Sequence, residues 1–199
     1  MQDENVKEPD KLLRQGLFLE YITLGWNVAG VAVILFAALK AGSVALAGFG
    51  LDSLIEIGAS TVVIWELTGA GKERQKRALR LIGGSFLALA LYVLVQSCRT
   101  LYLRLHPNTS LLGIIWLSVT FAVMLALAAG KHRTGTQLNN PVLLTEGRVT
   151  LVDAYLAGSV LVGLVLNAVL GCWWADPLAG LIIVFYGSKE GRHAWAEGA

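Results

Sequence analysis

Residues 43–56 read SVALAGFGLDSLIE and open an apolar run that continues to Leu67. A helix of this length can cross a bilayer. The run nevertheless contains two acids, Asp52 and Glu56, whose four-residue spacing places both side chains on one helix face, about one turn apart. An acid at the bilayer centre costs roughly 2.5–3.5 kcal/mol on insertion scales, so two on one face require compensation. A buried polar network, a proton relay and a cation site are the physical alternatives.

The composition is that of a membrane protein. Of the 199 residues, 55% are hydrophobic and 15% are charged, and several apolar runs reach about 20 residues, the length of a membrane-spanning helix. We therefore expect an all-α, polytopic membrane protein with six transmembrane helices, at residues 17–39, 43–67, 81–103, 111–129, 149–170 and 176–187, with an alternative start of the fifth nearer Val142. A polar segment, residues 1–16, precedes this six-helix domain, residues 17–187, and a short tail, residues 188–199, follows it.

Lysine and arginine residues are distributed unevenly between the predicted loops. If the N-terminus is cytoplasmic, 13 of the 16 lie in inside segments: Lys7, Lys11, Arg14, Lys72, Arg74, Lys76, Arg77, Arg80, Lys131, Arg133, Arg148, Lys189 and Arg192. Cytoplasmic loops carry such an excess, so we predict that both termini are cytoplasmic. Because topology explains the basic residues, we expect contact with membrane lipid and none with nucleic acid. The predicted location is a bacterial inner (plasma) membrane, as a multi-pass protein.

A third acid, Asp153, lies inside the fifth predicted helix. That helix runs antiparallel to the second, so packing between them could bring Asp52, Glu56 and Asp153 around one point. Small residues such as Gly48, Ala154 and Gly158 would permit a close approach. Three carboxylates in a low dielectric cannot all stay charged unless protons or a divalent metal neutralise them. Metal binding would release the protons and so couple metal movement to proton movement.

These residues resemble the transmembrane domain of the cation diffusion facilitator (cation efflux) family, over most of residues 17–191. The resemblance lies in Ser43, in the pair Asp52 and Glu56, in Asp153, and in the sequence of residues 171–177, GCWWADP. It implies a divalent-metal/proton antiporter with six spans that works as a homodimer. In that family, the transport site takes two acids from the second span and a His or Asp four residues before an Asp in the fifth. By position, the resemblance therefore implicates Asp52, Glu56, Val149 and Asp153 as the metal site.

The sequence departs from the family pattern at three points. Glu56 stands where the family most often has Asp, and Val149 occupies the His/Asp position, so three protein ligands remain: Asp52, Glu56 and Asp153. Water, a backbone carbonyl or the neighbouring Thr150 would then supply the fourth. The usual C-terminal metal-binding domain is not expected in this sequence. A homodimer would therefore be held through its transmembrane helices.

The identity of the transported metal stays open at this point. The family's commonest substrate is Zn²⁺, which accepts carboxylates but prefers nitrogen or sulfur ligands, whereas an oxygen-only site favours harder ions such as Mn²⁺ or Fe²⁺. The metal is expected as a transported substrate, and no bound cofactor is predicted.

Features of this sequence also suggest two classes of protein other than a transporter. Residues 48–52, GFGLD, resemble faintly the Gly-x-Gly-Asp of intramembrane aspartyl proteases, but the spacing differs by one residue and Glu56 would have no role. We therefore do not expect an enzyme. A non-transporting membrane scaffold with a degenerate metal site is the alternative, because Val149 removes one ligand.

Three further polar residues have structural interpretations. Asp176 precedes Pro177, which predicts a cap at the start of the sixth helix. Glu20 and Asn27 share one face of the first helix, where they could line a cytoplasmic access path, although interhelical hydrogen bonds are the favoured interpretation.

Overall fold

The structure is a computed structural model that describes the backbone of residues 2–68 and 72–198. Within these ranges, the side chains of residues 2–10, 66, 72–75 and 78 are not described. The side chains of Lys7, Lys72 and Arg74, which enter the count of inside basic residues, therefore lie outside the described residues.

The described residues form six helices and no strand, which confirms the all-α prediction. The helices are α1 (Gln2–Ala41), α2 (Val44–Leu67), α3 (Lys72–Leu103), α4 (Leu111–Leu138), α5 (Pro141–Leu170) and α6 (Ala175–Glu197). Five segments are long and apolar enough to cross a membrane: Lys11–Ala41, Val44–Trp65, Leu79–Leu103, Leu111–Leu138 and Pro141–Leu170. The membrane protein class is thus established, while a sixth span through α6 and the orientation of the termini remain predictions.

Short, sharp turns connect several of the helices. Gly42 (φ 64°) separates α1 from α2, and Gly171 (φ 65°) ends α5; both backbones are left-handed, a conformation that glycine adopts without steric cost. Asn139 (φ 50°) ends α4, and the Asn140 side chain caps α5 by accepting a hydrogen bond from the Leu143 N–H at 2.9 Å. Helices α4 and α5 therefore form a tight antiparallel hairpin.

Helix α4 extends beyond the predicted end at Ala129, and this corrects one interpretation. Lys131, His132 and Arg133 were predicted to lie in a loop, but α4 continues through them to Leu138. The apolar run ends before the helix does, because Asn139, Asn140 and Pro141 supply the backbone signals that stop it. Lys131 is consequently a buried helical residue.

Helix α6 also continues past its predicted end near Gly187 and runs to Glu197. Residues 188–197, predicted as a tail, are helical and pack against α3. The backbones approach closely at Gly83 and Gly191, where a Cβ on Gly83 would lie 2.7 Å from the Gly191 carbonyl oxygen.

All six helices contribute to the largest apolar cluster, which includes Ile34 of α1, Phe49 of α2, Val93 of α3, Leu117 of α4, Leu156 of α5 and Ile183 of α6. Helix α2 lies near the centre, since it packs against α1, α3, α5 and α6. Any acid on its inward faces is therefore enclosed by protein rather than by lipid.

Candidate metal-transport site

One face of α2 carries polar side chains every four residues. Asp52, Glu56 and Ser60 are 1%, 0% and 0% exposed, so the whole row is enclosed. The four-residue spacing keeps them on one side of the helix. The sequence prediction that Asp52 and Glu56 share a buried face is thus met by the structure.

Helix α5 faces this row with a polar row of its own. Glu146, Thr150 and Asp153 follow one another at intervals of four and three residues, and all are at least 98% buried. Asp153 lies close enough to Asp52 for their charges to interact, and Glu146 lies close enough to Glu56.

The carboxyl groups of Asp52 and Asp153 lie close enough to each other for their charges to interact. Within the described part of the chain, no N–H or O–H group donates to Asp52 Oδ1 or to either oxygen of Asp153. Two carboxylates that face one another in a low dielectric repel unless a proton or a cation lies between them. We call these two residues the carboxyl pair.

Glu56 lies one turn along α2 from the carboxyl pair. Both of its carboxyl oxygens are buried, and neither has a hydrogen-bond donor among the described residues. Its charge interacts with those of Asp153 and Asp52 and also with those of Glu146 and Lys131. Glu56 therefore links the carboxyl pair electrostatically to a second group of charges.

The three acids do not form a closed ligand cluster in this conformation. Among the side chains that the structure describes, no group of three or more His, Cys, Asp or Glu is arranged closely enough to hold a metal ion. Ligation by Asp52, Glu56 and Asp153 together thus stays a prediction; the structure brings the first and third together and places Glu56 a turn away.

The two residues predicted near a fourth ligand have other contacts. Val149 is buried in an apolar cluster with Ala59, Ile82, Phe86 and Ala194. The Thr150 hydroxyl accepts a hydrogen bond from Lys131 Nζ at 3.1 Å. Neither makes a hydrogen bond to the carboxyl pair.

Lys131 is a functional candidate that the sequence interpretation missed. Its side chain is fully buried, and Nζ donates to Glu20 Oε2 at 3.1 Å and to Glu146 Oε1 at 3.2 Å, in addition to Thr150. Glu20 thereby makes the interhelical bond that was favoured for it. The signal for burial was present: Met124, Leu127 and Thr134 are buried on the same side of α4 at helical spacing, so Lys131 continues an inward stripe.

Asp176 caps a different helix from the one predicted. It lies inside α6, whose start has no side-chain cap. Its carboxylate accepts hydrogen bonds from the Ser43 hydroxyl and from the N–H groups of Val44 and Ala45, at 3.0 and 3.3 Å. Asp176 therefore satisfies the N-terminus of α2, the helix that carries Asp52 and Glu56.

Acids enclosed between membrane-crossing helices are typical of integral membrane proteins that move ions. Comparison with known families makes the class specific. The cation efflux transmembrane domain matches residues 21–198, and the chain therefore belongs to the cation efflux family, whose members are transporters and not enzymes. This confirms the family predicted from the residues.

Two curated relatives support the same assignment. Transmembrane protein 163 of Xenopus laevis is 27% identical over 177 residues, which cover 80% of this chain and 62% of the relative. An uncharacterized transporter of Synechocystis is 25% identical over 187 residues, which cover 88% of this chain and 60% of the relative. The chain thus spans about three fifths of the length of each of these relatives.

Proposed function

We propose that this protein exports a divalent transition-metal cation across the membrane in exchange for protons. The proposal rests on three buried acids, the carboxyl pair and Glu56. Five of their six carboxyl oxygens have no hydrogen-bond donor among the described residues. Such a group must hold either protons or a cation. An antiporter requires a site that binds protons and the metal ion alternately, and here each metal ion that binds displaces protons.

The ligand chemistry supports harder divalent ions. Asp52, Glu56 and Asp153 offer only carboxylate oxygens, which suit Mn²⁺ and Fe²⁺, while Zn²⁺ accepts carboxylates but gains more from nitrogen or sulfur. We propose that all three metals are substrates, with little discrimination between them. Metal ions and protons are then the transported partners.

The assembly that we propose is a homodimer formed through the transmembrane helices in a bacterial inner membrane. The family resemblance motivates it, and so do the exposed apolar side chains on α3, such as Leu91 and Val95, at 63% and 55% exposure. Cross-linking in native membranes should yield a dimer band. A monomer band alone, under conditions that cross-link a known dimer, would contradict the assembly.

Transport in proteoliposomes tests the function. Purified protein is reconstituted, Zn²⁺, Mn²⁺ or Fe²⁺ is added outside, and internal metal and internal pH are recorded together. We expect metal uptake with simultaneous proton release from the lumen. Glu56→Gln and Asp153→Asn should each reduce both signals to those of empty liposomes, because the amide keeps the shape but loses the charge that offsets the cation.

The matched control is Glu190→Gln, the same change at a partly exposed acid on α6. It should leave both signals unchanged. Near-normal uptake by either site variant would remove that residue from the transport site. Folded parent protein that moves none of the three metals would favour the non-transporting scaffold instead.

A further inference from the structure

Lys131 is held as a bound cation would be. Its ammonium group has three N–H donors, and three oxygen atoms from two helices, α1 and α5, accept from it at 3.1–3.2 Å. We call Glu20, Glu146, Thr150 and the ammonium of Lys131 the lysine cluster. The oxygen atoms of this cluster are two carboxylates and one hydroxyl, which is a set that hard divalent cations also use.

The lysine cluster carries more negative than positive charge. Glu20 and Glu146 surround one ammonium group, and the Glu20 and Lys131 side chains are completely buried. Glu20 Oε1 has no hydrogen-bond donor in the described residues, although Oε2 is bonded to Lys131. The cluster therefore retains a carboxylate oxygen that is shielded from solvent and has no hydrogen-bond donor among the described residues.

The lysine cluster is continuous with the carboxyl pair. On α5, Thr150 lies between Glu146 and Asp153 on one face, and on α2 Glu56 stands between the two groups with both oxygens unpaired. The charge of Glu56 interacts with those of Glu146 and Lys131 as well as with that of Asp153. Acidic oxygens thus extend from the carboxyl pair toward the N-terminal end of α5, the end predicted to be cytoplasmic.

We propose that the lysine cluster is a second divalent-cation site on the transport path, and that the ammonium group of Lys131 fills it as a tethered cation in this conformation. This inference rests on the proposed function, because a site on the transport path requires that the protein transports an ion. An ion that travels between the carboxyl pair and the cytoplasmic end must replace the ammonium group between Glu20 and Glu146. Lys131 thereby closes the path until an ion competes for its oxygens.

Removal of the tethered charge provides the test. In Lys131→Met, a thioether of similar length replaces the ammonium group, so Glu20 and Glu146 are left without a counter-charge. The full chain is placed in nanodiscs and titrated with MnCl₂ by calorimetry. We expect Lys131→Met to bind one more Mn²⁺ per chain than the parent, and Lys131→Met/Glu20→Gln/Glu146→Gln to lose that additional site. Lys189→Met, the same change at an exposed lysine of α6, should bind as the parent does.

Folded Lys131→Met protein that binds no more Mn²⁺ than the parent overturns the proposal. The variant could fail to fold without metal, because a buried carboxylate pair without a counter-ion is unfavourable. In that event the proposal requires Mn²⁺, but not K⁺ at equal ionic strength, to restore the folded state, since a ligand that binds only the folded state stabilises it. Absence of that rescue also overturns it.

Failure here can be distinguished from failure of the proposed function. Asp153→Asn is titrated in the same assay and should lose the Mn²⁺ that the parent binds. If it retains that ion, the transport site proposed at the carboxyl pair is wrong, whatever Lys131→Met shows. If it loses the ion while Lys131→Met gains none, only the second site fails.

Discussion

Asp176 stabilises a helix other than its own. Its carboxylate accepts from the Val44 and Ala45 N–H groups and from the Ser43 hydroxyl, and that hydroxyl in turn accepts the Leu46 N–H at 3.0 Å. Negative charge at a helix N-terminus is also favourable with respect to the helix dipole. One residue of α6 thereby fixes the start of α2, and hence the height at which Asp52 and Glu56 lie.

Asp176→Asn should lower stability and leave transport measurable. The amide loses the negative charge and one acceptor, so we expect a cost of at most about 0.5–2 kcal/mol, the range for complete removal of an N-cap side chain. Asp176 has no bond to the carboxyl pair, so metal uptake should persist. Thermal denaturation in detergent, with Glu190→Gln as control, measures the first effect. A stable variant without transport would show that Asp176 acts on the ion itself.

Val149→His tests the position at which the family usually has a ligand. Val149 lies one turn before Asp153, so an imidazole there would add nitrogen to a carboxylate site and favour Zn²⁺ over Mn²⁺. The surrounding apolar cluster is tightly filled, with Val149 only 2% exposed, and overpacking should cost about 1–3 kcal/mol.

The measured quantity for this variant is the ratio of Zn²⁺ to Mn²⁺ affinities, obtained by calorimetry at one pH for variant and parent. The ratio should rise. An unchanged ratio in folded protein would mean that residue 149 faces the apolar cluster and not the ion.

The buried acids are easier to identify from the sequence than the buried lysine. Asp52, Glu56 and Asp153 stand out because each interrupts an apolar run, where an acid is costly. Lys131 follows the apolar run of α4, in a position where a basic residue usually indicates a cytoplasmic loop. Its burial depends on Glu20, 111 residues away, and helix periodicity does not reveal such a partner. Asp176 was assigned to the wrong helix for the same reason.

At the scale of elements, the pairing of α3 with α6 depends on glycine. An ideal Cβ on Gly83 would lie 2.7 Å from the Gly191 carbonyl oxygen and 2.7 Å from the Trp195 nitrogen. Both atoms belong to the backbone, so neither can rotate aside. Small residues of this kind allow membrane helices to approach closely, and here they secure the last turns of α6.

Gly83→Ala should therefore destabilise the protein by separating α3 from α6. Gly58→Ala is the matched control, because a Cβ at Gly58 meets no atom within 4 Å; there, the higher helix propensity of alanine should add up to about 1 kcal/mol of stability. Thermal denaturation of both variants in one detergent compares them. Equal midpoints would show that residues 188–197 do not pack against α3.

Helix bounds were predictable only where hydropathy and backbone signals coincide. The start of α2 and the end of α3 at Leu103 agree closely with the apolar pattern, because Gly42 and Pro107 lie beside them. Helices α4 and α6 extend past their apolar runs to Leu138 and Glu197. Hydropathy indicates which part of a helix is surrounded by lipid or by the protein core. The residue at which a helix ends depends instead on backbone hydrogen bonds and caps.

For the whole molecule, the prediction with most consequence is that both ends face the cytoplasm. Lys131 is buried between helices and therefore no longer counts as a loop charge, but most of the remaining basic residues still lie in inside segments, including Arg77, Arg80 and Arg133. The positive-inside asymmetry therefore persists. With six crossings, the loop between α5 and α6 must face outward.

Cysteine labelling in intact cells checks this orientation. Cys172 lies in the α5–α6 loop and is half-buried, whereas Cys98 is an exposed residue close to the end of α3 at Leu103. In a Cys98→Ser background, a membrane-impermeant maleimide should therefore label Cys172, and the further change Cys172→Ser should abolish labelling. In a Cys98→Ser/Cys172→Ser background, Ala196→Cys, at an exposed position of α6, should react only after permeabilisation. Labelling of that variant in intact cells would place the C-terminal end of the chain outside. The α5–α6 loop and the end of α6 would then lie on the same side of the membrane. Helix α6 would therefore not cross the membrane.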